Sequence, residues 1–333
     1  MEYELTVVTT TYNQEKYIEQ CLKSILNQKT DFNFKLLVSD DASNDNTRQI
    51  LQKYENLFPN KLEVIYREKN LGAMKNFIET LNLVHTKYVA LCDGDDFWTD
   101  ETKLQKQINF LNKHKEYTIC FHQTLIFFED KSQKSVLHPI NIASDLSLQD
   151  LIKENFIPAN TVVYRWKYQK ENSLISELKE DIVPGDYFLH LMHAAIGKIH
   201  YMDEQMSCYR RQPYGMWYLS SQLDKQNQFY DIYGEQYLQF FKNVEKVLKL
   251  DPDTFKPQKS WIIKESIIAY TKLKRAKKLK KLYKNEYKTN IKIFEETIAS
   301  FSLNEKIFYY LQTNAIIVLK KGIRFIKWKI LKR

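Results

Sequence analysis

Short apolar runs alternate with amphipathic helical patterns through the first 113 residues, and this alternation limits the folds open to the chain. Strands that alternate with helices form a mostly parallel sheet that is covered on both faces. The four predicted strands are LTVVT (5–9), FKLLVS (34–39), LEVIY (62–66) and YVALC (88–92). The first predicted helix carries its apolar residues at helical spacing, at Ile18, Cys21, Leu22, Ile25 and Leu26.

The pattern changes after about residue 113. Longer apolar segments, ICFHQTLIFFED, KSVLHP and PANTVVYR, predict strands of a mixed sheet, and a helix is expected to start near Asp186. From about Ser220 the pattern is helical. Its basic segment, TKLKRAKKLKKLYKN, fits an ordinary solvated helix face as well as it fits a functional basic surface. We therefore predict an α/β fold with a C-terminal helical extension, divided into residues 1–113, 114–219 and 220–333.

Acidic residues follow two of the predicted strands. Asp40 and Asp41 come after the second strand, and LCDGDDFW places Asp93, Asp95 and Asp96 after the fourth. Because parallel strands end at one edge of a sheet, where open α/β folds bind ligands, both clusters are expected to face one ligand. Three carboxylates within four residues repel one another, so a hard divalent cation is the expected partner. A polar loop that caps the next helix is the alternative.

Other signals narrow the ligand class. No G-x-G-x-x-G follows the first strand, and no G-x-x-x-x-G-K-[ST] occurs, so neither a dinucleotide fingerprint nor a Walker loop is present. The four scattered cysteines include no C-x-x-C pair, which favours a reducing cytoplasm over a disulfide framework or a zinc site. Neither an export signal nor a spanning helix is predicted.

Five segments, in this order and spacing, resemble the family-2 glycosyltransferases of the GT-A fold. They are VVTTTYNQEKYIEQCLKSILNQ, VSDDASNDNT, NLGAMKNF, LCDGDDFW and GDYFLHLMHAAIGKIHYMDEQMSCYR, within residues 5 to 217. The resemblance implies a nucleotide-diphospho-sugar-binding sheet and transfer of a sugar from a nucleotide diphosphate donor to a hydroxyl, with inversion and with Mn²⁺ or Mg²⁺.

The resemblance also implies roles for single residues. Thr10 and Tyr12 match positions that flank the nucleobase, Asp41 matches the carboxylate that binds a uracil ring, and Asp40 is its neighbour. Asp93 and Asp95 match the D-x-D motif that contacts ribose and metal, with Asp96 a further metal ligand. Asp186 matches the catalytic base, and Tyr214 and Trp217 resemble the aromatic platform that stacks on acceptor sugars, although Trp217 fits a core position almost equally well.

Three departures from the family pattern matter. Relatives often carry a histidine shortly after a motif such as Tyr209-Arg210, but Arg211 and Gln212 stand here, so a third protein ligand to the metal is not assigned. The processive signature Q-x-x-R-W is absent, which favours transfer of one sugar at a time. Asp186, His190 and His193 share one helical face, and a separate metal site there is the minor alternative to an ordinary packed helix.

The C-terminal residues carry most of the positive charge. Residues 320–333 hold seven Lys and Arg and no acid, whereas the whole chain has a net charge of +9. In the predicted last helix an apolar stripe is flanked by lysine and arginine, a pattern typical of an interfacial helix on anionic lipid. We expect residues 314–333 to bind the inner face of the cell membrane, with an intramolecular or dimer contact as the alternative.

These observations predict a metal-dependent inverting hexosyl- or N-acetylhexosaminyl-transferase, with a UDP-sugar as the preferred donor. Its expected acceptor is a glycan or lipid-linked glycan in bacterial surface polysaccharide, lipooligosaccharide or glycoprotein glycan synthesis, and no nucleic acid is expected to bind. Two alternatives stay open: a phosphatase of the haloacid-dehalogenase type, and a basic membrane or nucleic-acid adaptor on an inactive GT-A fold.

Overall fold

A computed structural model describes residues 2–168, 184–213, 216–222 and 225–313. The strands are β1 (Leu5–Thr11), β2 (Phe34–Asp40), β3 (Leu62–Tyr66), β4 (Tyr88–Leu91), β5 (Phe97–Trp98), β6 (Tyr117–Phe128), β7 (Val136–His138), β8 (Asp145–Leu146), β9 (Val163–Arg165) and β10 (Lys198–Arg211). The helices are α1 (Ile18–Leu26), α2 (Thr47–Leu57), α3 (Ala73–Leu81), α4 (Lys103–Lys113), α5 (Leu148–Lys153), α6 (Gly185–Ala194), α7 (Met216–Ser221), α8 (Gln226–Val247), α9 (Lys256–Lys272), α10 (Ala276–Glu286), α11 (Ile291–Ala299) and α12 (Leu303–Thr313).

The first four strands form the parallel half of the sheet, in the order β3-β2-β1-β4. Each of them carries almost only buried side chains except β3, which lies at the edge of the sheet. The apolar face of α1 is buried against this half, as the spacing of its residues predicts. The predicted α/β fold, with its sheet flanked by helices and its C-terminal helical region, is confirmed.

The second half of the sheet is mixed. The order continues β9-β6-β10-β5, with β9 antiparallel to both β4 and β6, and with the long strands β6 and β10 parallel to each other. Strand β5 pairs antiparallel with β10, so Phe97 lies opposite Cys208. The strand β5 directly follows the acidic cluster after β4. Its pairing with β10 therefore fixes one end of that cluster to the last strand along the chain.

The described contacts divide the chain into two compact units. Unit 1 comprises residues 1–218 and 239–255, and unit 2 comprises residues 219–238 and 256–333. In unit 1 the segment 239–255 supplies aromatic side chains, and the ring of Phe240 stacks on Tyr187 of α6 with 5.3 Å between centroids. In unit 2 the helices pack around aromatic residues such as Tyr283 and Phe294.

No helix within the described ranges is long and apolar enough to cross a membrane. The predicted interfacial helix of residues 314–333 lies outside the described residues. The proposed membrane contact of this segment therefore stays a prediction.

Arg165 is a buried cation that joins β9 to the end of α4. Its guanidinium donates to the backbone oxygens of Leu111 and His114 and to the hydroxyl of Tyr88, and no more than 7% of the residue is exposed. The last carbonyl groups of a helix lack partners within the helix, and a cation at this end is favoured by the helix dipole. Arg165 therefore satisfies groups that would otherwise be buried without partners.

We predict that Arg165→Ala lowers the free energy of unfolding by about 3 kcal/mol, because it leaves these buried carbonyl oxygens unsatisfied. Urea denaturation followed by circular dichroism measures the change. Arg165→Lys keeps the charge but not the planar fork, so it should retain part of the stability. A loss well below 1 kcal/mol for the alanine variant would contradict this role.

Candidate active site

The two acidic clusters meet at the end of β1. The backbone N–H of Asp41 donates to the carbonyl of Thr11 at 2.9 Å, and that of Gly94 donates to the carbonyl of Thr10 at 3.0 Å. The Thr10 hydroxyl also donates to Asp93 Oδ1 at 3.2 Å. Consecutive residues of one central strand thus hold both clusters, at the edge where parallel strands end.

Glycine is required at position 94 by close packing. A Cβ atom there would lie 2.4 Å from Gln14 Oε1 and 2.9 Å from the Thr11 side chain. The acidic segment between β4 and β5, residues 92–96, which we call the acidic loop, therefore lies directly on β1. Any side chain at its centre would push the flanking carboxylates away from the sheet edge.

Two neutral amides hold the carboxylate of Asp95. Gln212 Nε2 donates to Asp95 Oδ2 at 2.5 Å, and Gln14 donates a second hydrogen bond. Gln212 is one of the two residues that follow Tyr209-Arg210, where the resemblance implies a histidine, and its amide contacts Asp95. Neutral donors orient a carboxylate without cancelling its charge.

Arg210 anchors the acidic loop from β10. Its backbone N–H donates to Asp96 Oδ1 at 2.8 Å, and its Nε donates to the carbonyl of Asp95 at 2.9 Å. The rest of the guanidinium binds Gln20 of α1 at 3.0 Å and Glu129 beyond β6 at 2.5 Å. Aromatic rings enclose the cation, and the distances from its central carbon to the ring centroids are 4.5 Å for Tyr17, 4.8 Å for Phe127 and 5.7 Å for Phe97.

The carboxylates of the acidic loop remain short of positive charge. Burial raises the pKa of Asp93 to about 7, and the negative charges of Asp95 and Asp186 add to the effect, while the Thr10 hydrogen bond opposes it. Burial also raises the pKa of Asp95 and Asp96. Asp93 is nevertheless an exposed residue by its accessible surface, whereas Asp96 is buried and its Oδ2 has no hydrogen-bond partner in the described structure. This arrangement favours a bound cation.

Asp40 and Asp41 shape the loop after β2. Asp40 is fully buried, and its Oδ2 accepts from Arg48 Nε at 2.6 Å. Both oxygens of Asp41 accept backbone N–H groups, from Leu71 at 2.7 Å and from Gly72 at 2.9 Å. These contacts fix both side chains beside the end of β1, and direct contact of either with a nucleotide stays a prediction.

Asp186 lies in the first turn of α6. Its Oδ1 accepts the backbone N–H of Tyr187 at 2.8 Å, and burial raises its pKa to about 6. Its negative charge contributes to the raised pKa of Asp93, although the two residues are far apart in sequence. The structure therefore brings the predicted base and the acidic loop within electrostatic reach of each other.

The histidines of α6 have structural contacts. His190 Nδ1 lies 2.6 Å from the Tyr164 hydroxyl, and Nε2 lies 3.1 Å from the carbonyl of Ile157. His193 Nδ1 lies 2.8 Å from the carbonyl of Leu189. Burial lowers the pKa of both histidines to about 3, so both are neutral at physiological pH. These contacts support the ordinary packed helix over a separate metal site.

The remaining predicted site residues are spread more widely. Tyr12 follows the end of β1 and is 44% exposed. Tyr214 and the side chain of Trp217 lie outside the described structure. Four residues that contact the acidic loop or its anchor had no predicted role: Gln14, Gln20, Glu129 and Arg210. Their partners are distant in sequence, and the only signal was that Gln14, Gln20 and Arg210 lie inside two of the resembling segments.

Comparison with known proteins identifies the family. The model of "Glycosyl transferase family 2" matches residues 6–214. An uncharacterized protein of Mycobacterium tuberculosis is 37% identical over 214 residues, covering 64% of this chain and 60% of that protein. The putative teichuronic acid biosynthesis glycosyltransferase TuaG of Bacillus subtilis is 31% identical over 159 residues, covering 48% of this chain and 61% of that protein. The matched region thus spans about three fifths of the length of these relatives.

Solved structures share the fold. S. aureus TarS 1-349 in complex with UDP-GlcNAc matches with a TM-score of 0.51 and 21% identity, covering 80% of this chain and 81% of that one. The mannosyltransferase PcManGT from Pyrobaculum calidifontis, in complex with GDP-Man and Mn²⁺, matches with a TM-score of 0.52 and 15% identity, covering 98% and 83%. With more than half of its length matched by the family model, the chain belongs to glycosyl transferase family 2.

Proposed function

We propose that this protein is an inverting glycosyltransferase that moves one sugar from a nucleotide diphosphate sugar to a hydroxyl of a glycan or lipid-linked glycan. The observation that carries the proposal is that the charge of Asp186 acts on Asp93 of the acidic loop, which supplies a base and a cation-binding loop in one site. Family membership supports this reaction over phosphate-ester hydrolysis and over an inactive adaptor.

The donor and the product class are further parts of the proposal. UDP is the nucleotide in the TarS complex and GDP the nucleotide in the mannosyltransferase complex, so the fold accommodates both. We favour a UDP-hexose or UDP-N-acetylhexosamine, because Asp41 lies at the position that the family uses for uracil. TuaG is named for teichuronic acid biosynthesis, which supports a role in a bacterial surface glycan, made at the inner face of the cell membrane.

A divalent cation, Mn²⁺ or Mg²⁺, is part of the proposed reaction. Within the described residues no group of three or more His, Cys, Asp or Glu side chains is arranged as a metal site. The carboxylates of the acidic loop nevertheless fit a hard cation. Their oxygens are hard ligands, and their negative charges raise one another's pKa. Asp95 would hold the cation together with Asp93 or Asp96, and the cation would balance charge on the departing diphosphate.

The protein's own groups account for the remaining steps. Backbone contacts to β1 and to Arg210 fix the acidic loop before substrate binds, so little reorganisation is needed during transfer. Asp186 accepts the proton of the acceptor hydroxyl as the new bond to the anomeric carbon forms. A base from another part of the chain can face the anomeric carbon opposite the diphosphate, which leads to inversion in one displacement.

We predict that Asp186→Asn reduces sugar transfer roughly 100-fold to 10,000-fold while nucleotide binding stays unchanged, since only the base is lost. Release of nucleoside diphosphate from a panel of nucleotide sugars, with acceptor extracts, measures transfer. The variant should unfold at an equal or higher temperature, because its wild-type carboxylate is costly to ionise in the fold. Asp203→Asn, at an exposed carboxylate of β10, is the matched control. Undiminished transfer would show that Asp186 is not the catalytic base.

The raised pKa of Asp186 predicts the pH dependence of transfer. The base must be ionised, so the rate at saturating donor should fall about tenfold per pH unit below about pH 6 and level off above about pH 7. An ordinary aspartate would place this fall near pH 4. A rate that stays constant down to pH 5 would show that burial does not raise the pKa of the working base.

Gln212 should strengthen cation binding by orienting Asp95. We predict that Gln212→Ala raises the Mn²⁺ concentration for half-maximal nucleotide stabilisation about tenfold, as expected for loss of a residue that orients a metal ligand. Differential scanning fluorimetry across a Mn²⁺ series measures this midpoint. Gln205→Ala, on β10 and bonded to the carbonyl of Ser207, should leave it unchanged. Equal midpoints for both variants would show that the Asp95 contact is incidental.

A further inference from the structure

Charge is segregated between the two units. Unit 1 contains 28 Lys and Arg and 33 Asp and Glu, whereas unit 2 up to residue 313 contains 15 Lys and Arg and 8 Asp and Glu. The small net charge of +2 on residues 1–319 is therefore the sum of an acidic unit 1 and a basic unit 2. Charge asymmetry of this kind points to an anionic partner for the basic unit.

Most of this basic charge lies on α10 and its flanks. Lys277, Lys280 and Lys284 are exposed, and their spacing of three and four residues places them in one row on the helix. The opposite side of the helix buries Leu279 and Leu282. We call the row of Lys277, Lys280 and Lys284 the lysine face.

Neighbouring cations of the same segment are neutralised, but the lysine face is not. Arg275 and Lys278 both pair with Asp231 of α8, at 2.8 and 2.9 Å, and Lys281 pairs with Glu235. The three lysines of the face form no ion pair with any described residue. Unit 2 thus places its nearby acids against one side of α10 and leaves the outward side positive.

The chemistry of the face favours a bilayer over a single bound anion. A row of lysines on an outward helix face offers mobile point charges, whereas recognition of one phosphate or carboxylate favours the planar fork of arginine. No arginine and no acid stands in this row. An anionic lipid surface presents many exchangeable head groups to such a row, and each lysine near the surface adds to the attraction.

We propose that the lysine face of α10 docks on an anionic lipid bilayer. This surface is separate from residues 314–333. The inference rests on the proposed function, because a lipid-linked acceptor would require the enzyme at the membrane. Docking through unit 2 also suits the charge of unit 1, since an acidic unit gains nothing from contact with anionic lipid.

Vesicle sedimentation of the full-length chain tests the proposal. The protein is mixed with phosphatidylcholine vesicles that contain or lack phosphatidylglycerol. The variant Lys277→Gln, Lys280→Gln, Lys284→Gln should bind the anionic vesicles roughly 100-fold more weakly than wild type. The control Lys113→Gln, Lys115→Gln, Lys134→Gln removes the same charge from exposed positions of unit 1 and should bind like wild type. Replacement of the lysine face by three arginines should also preserve binding.

Several results would overturn the inference. Equal binding by the glutamine variant and the unit 1 control would assign vesicle binding to other residues. Equal binding of wild type to neutral vesicles, or capture by soluble polyphosphate without vesicle binding, would also reject a lipid surface. Nucleotide stabilisation measured on the same preparations without vesicles separates the two claims, because its retention in the glutamine variant leaves the proposed function intact.

Discussion

The hold of Arg210 on the acidic loop is the interaction on which the site depends most. One side chain binds the backbone of Asp95, the α1 residue Gln20 and the carboxylate of Glu129, while its own backbone N–H binds Asp96. The aromatic rings around the guanidinium shield these contacts from water and strengthen them. The loop that carries the carboxylates is therefore fixed by a cation that contacts its backbone, rather than by one that neutralises its side chains.

Because Arg210 contacts the backbone of the acidic loop, the negative charges of the carboxylates in this loop are not neutralised. A cation paired with Asp93 or Asp95 would stabilise the empty protein but would compete with a metal ion for the same oxygens. Neutral donors from Thr10, Gln14 and Gln212 orient the groups instead. Asp96 Oδ2 is buried without a hydrogen-bond partner in the described structure, and the pKa of both Asp93 and Asp186 is raised, as is common where a site is arranged for a ligand.

The sequence predicted the parallel half of the fold well, because each of its strands is a short buried run between helical patterns. LEVIY coincides with β3, and the shared edge for both acidic clusters follows from parallel pairing alone. The contacts that fix the site were beyond prediction from pattern. Arg210 is distant in sequence from the loop it holds, and the burial of Asp40 against Arg48 depends on tertiary packing. The charge segregation, in contrast, is already present in the sequence on either side of residue 218, because residues 239–255 carry three basic and three acidic residues and do not change it.

The most direct test of the account is a thermal-shift titration with UDP, GDP, dTDP and CDP, each with Mn²⁺ or with EDTA. Wild type is compared with Asp95→Ala and with Asp203→Ala, which removes a carboxylate of β10 outside the acidic loop. We expect that one nucleotide stabilises wild type and Asp203→Ala only when Mn²⁺ is present, and that Asp95→Ala loses this effect. Stabilisation by none of the four, or stabilisation that survives both EDTA and Asp95→Ala, would contradict a metal-assisted nucleotide site at this loop.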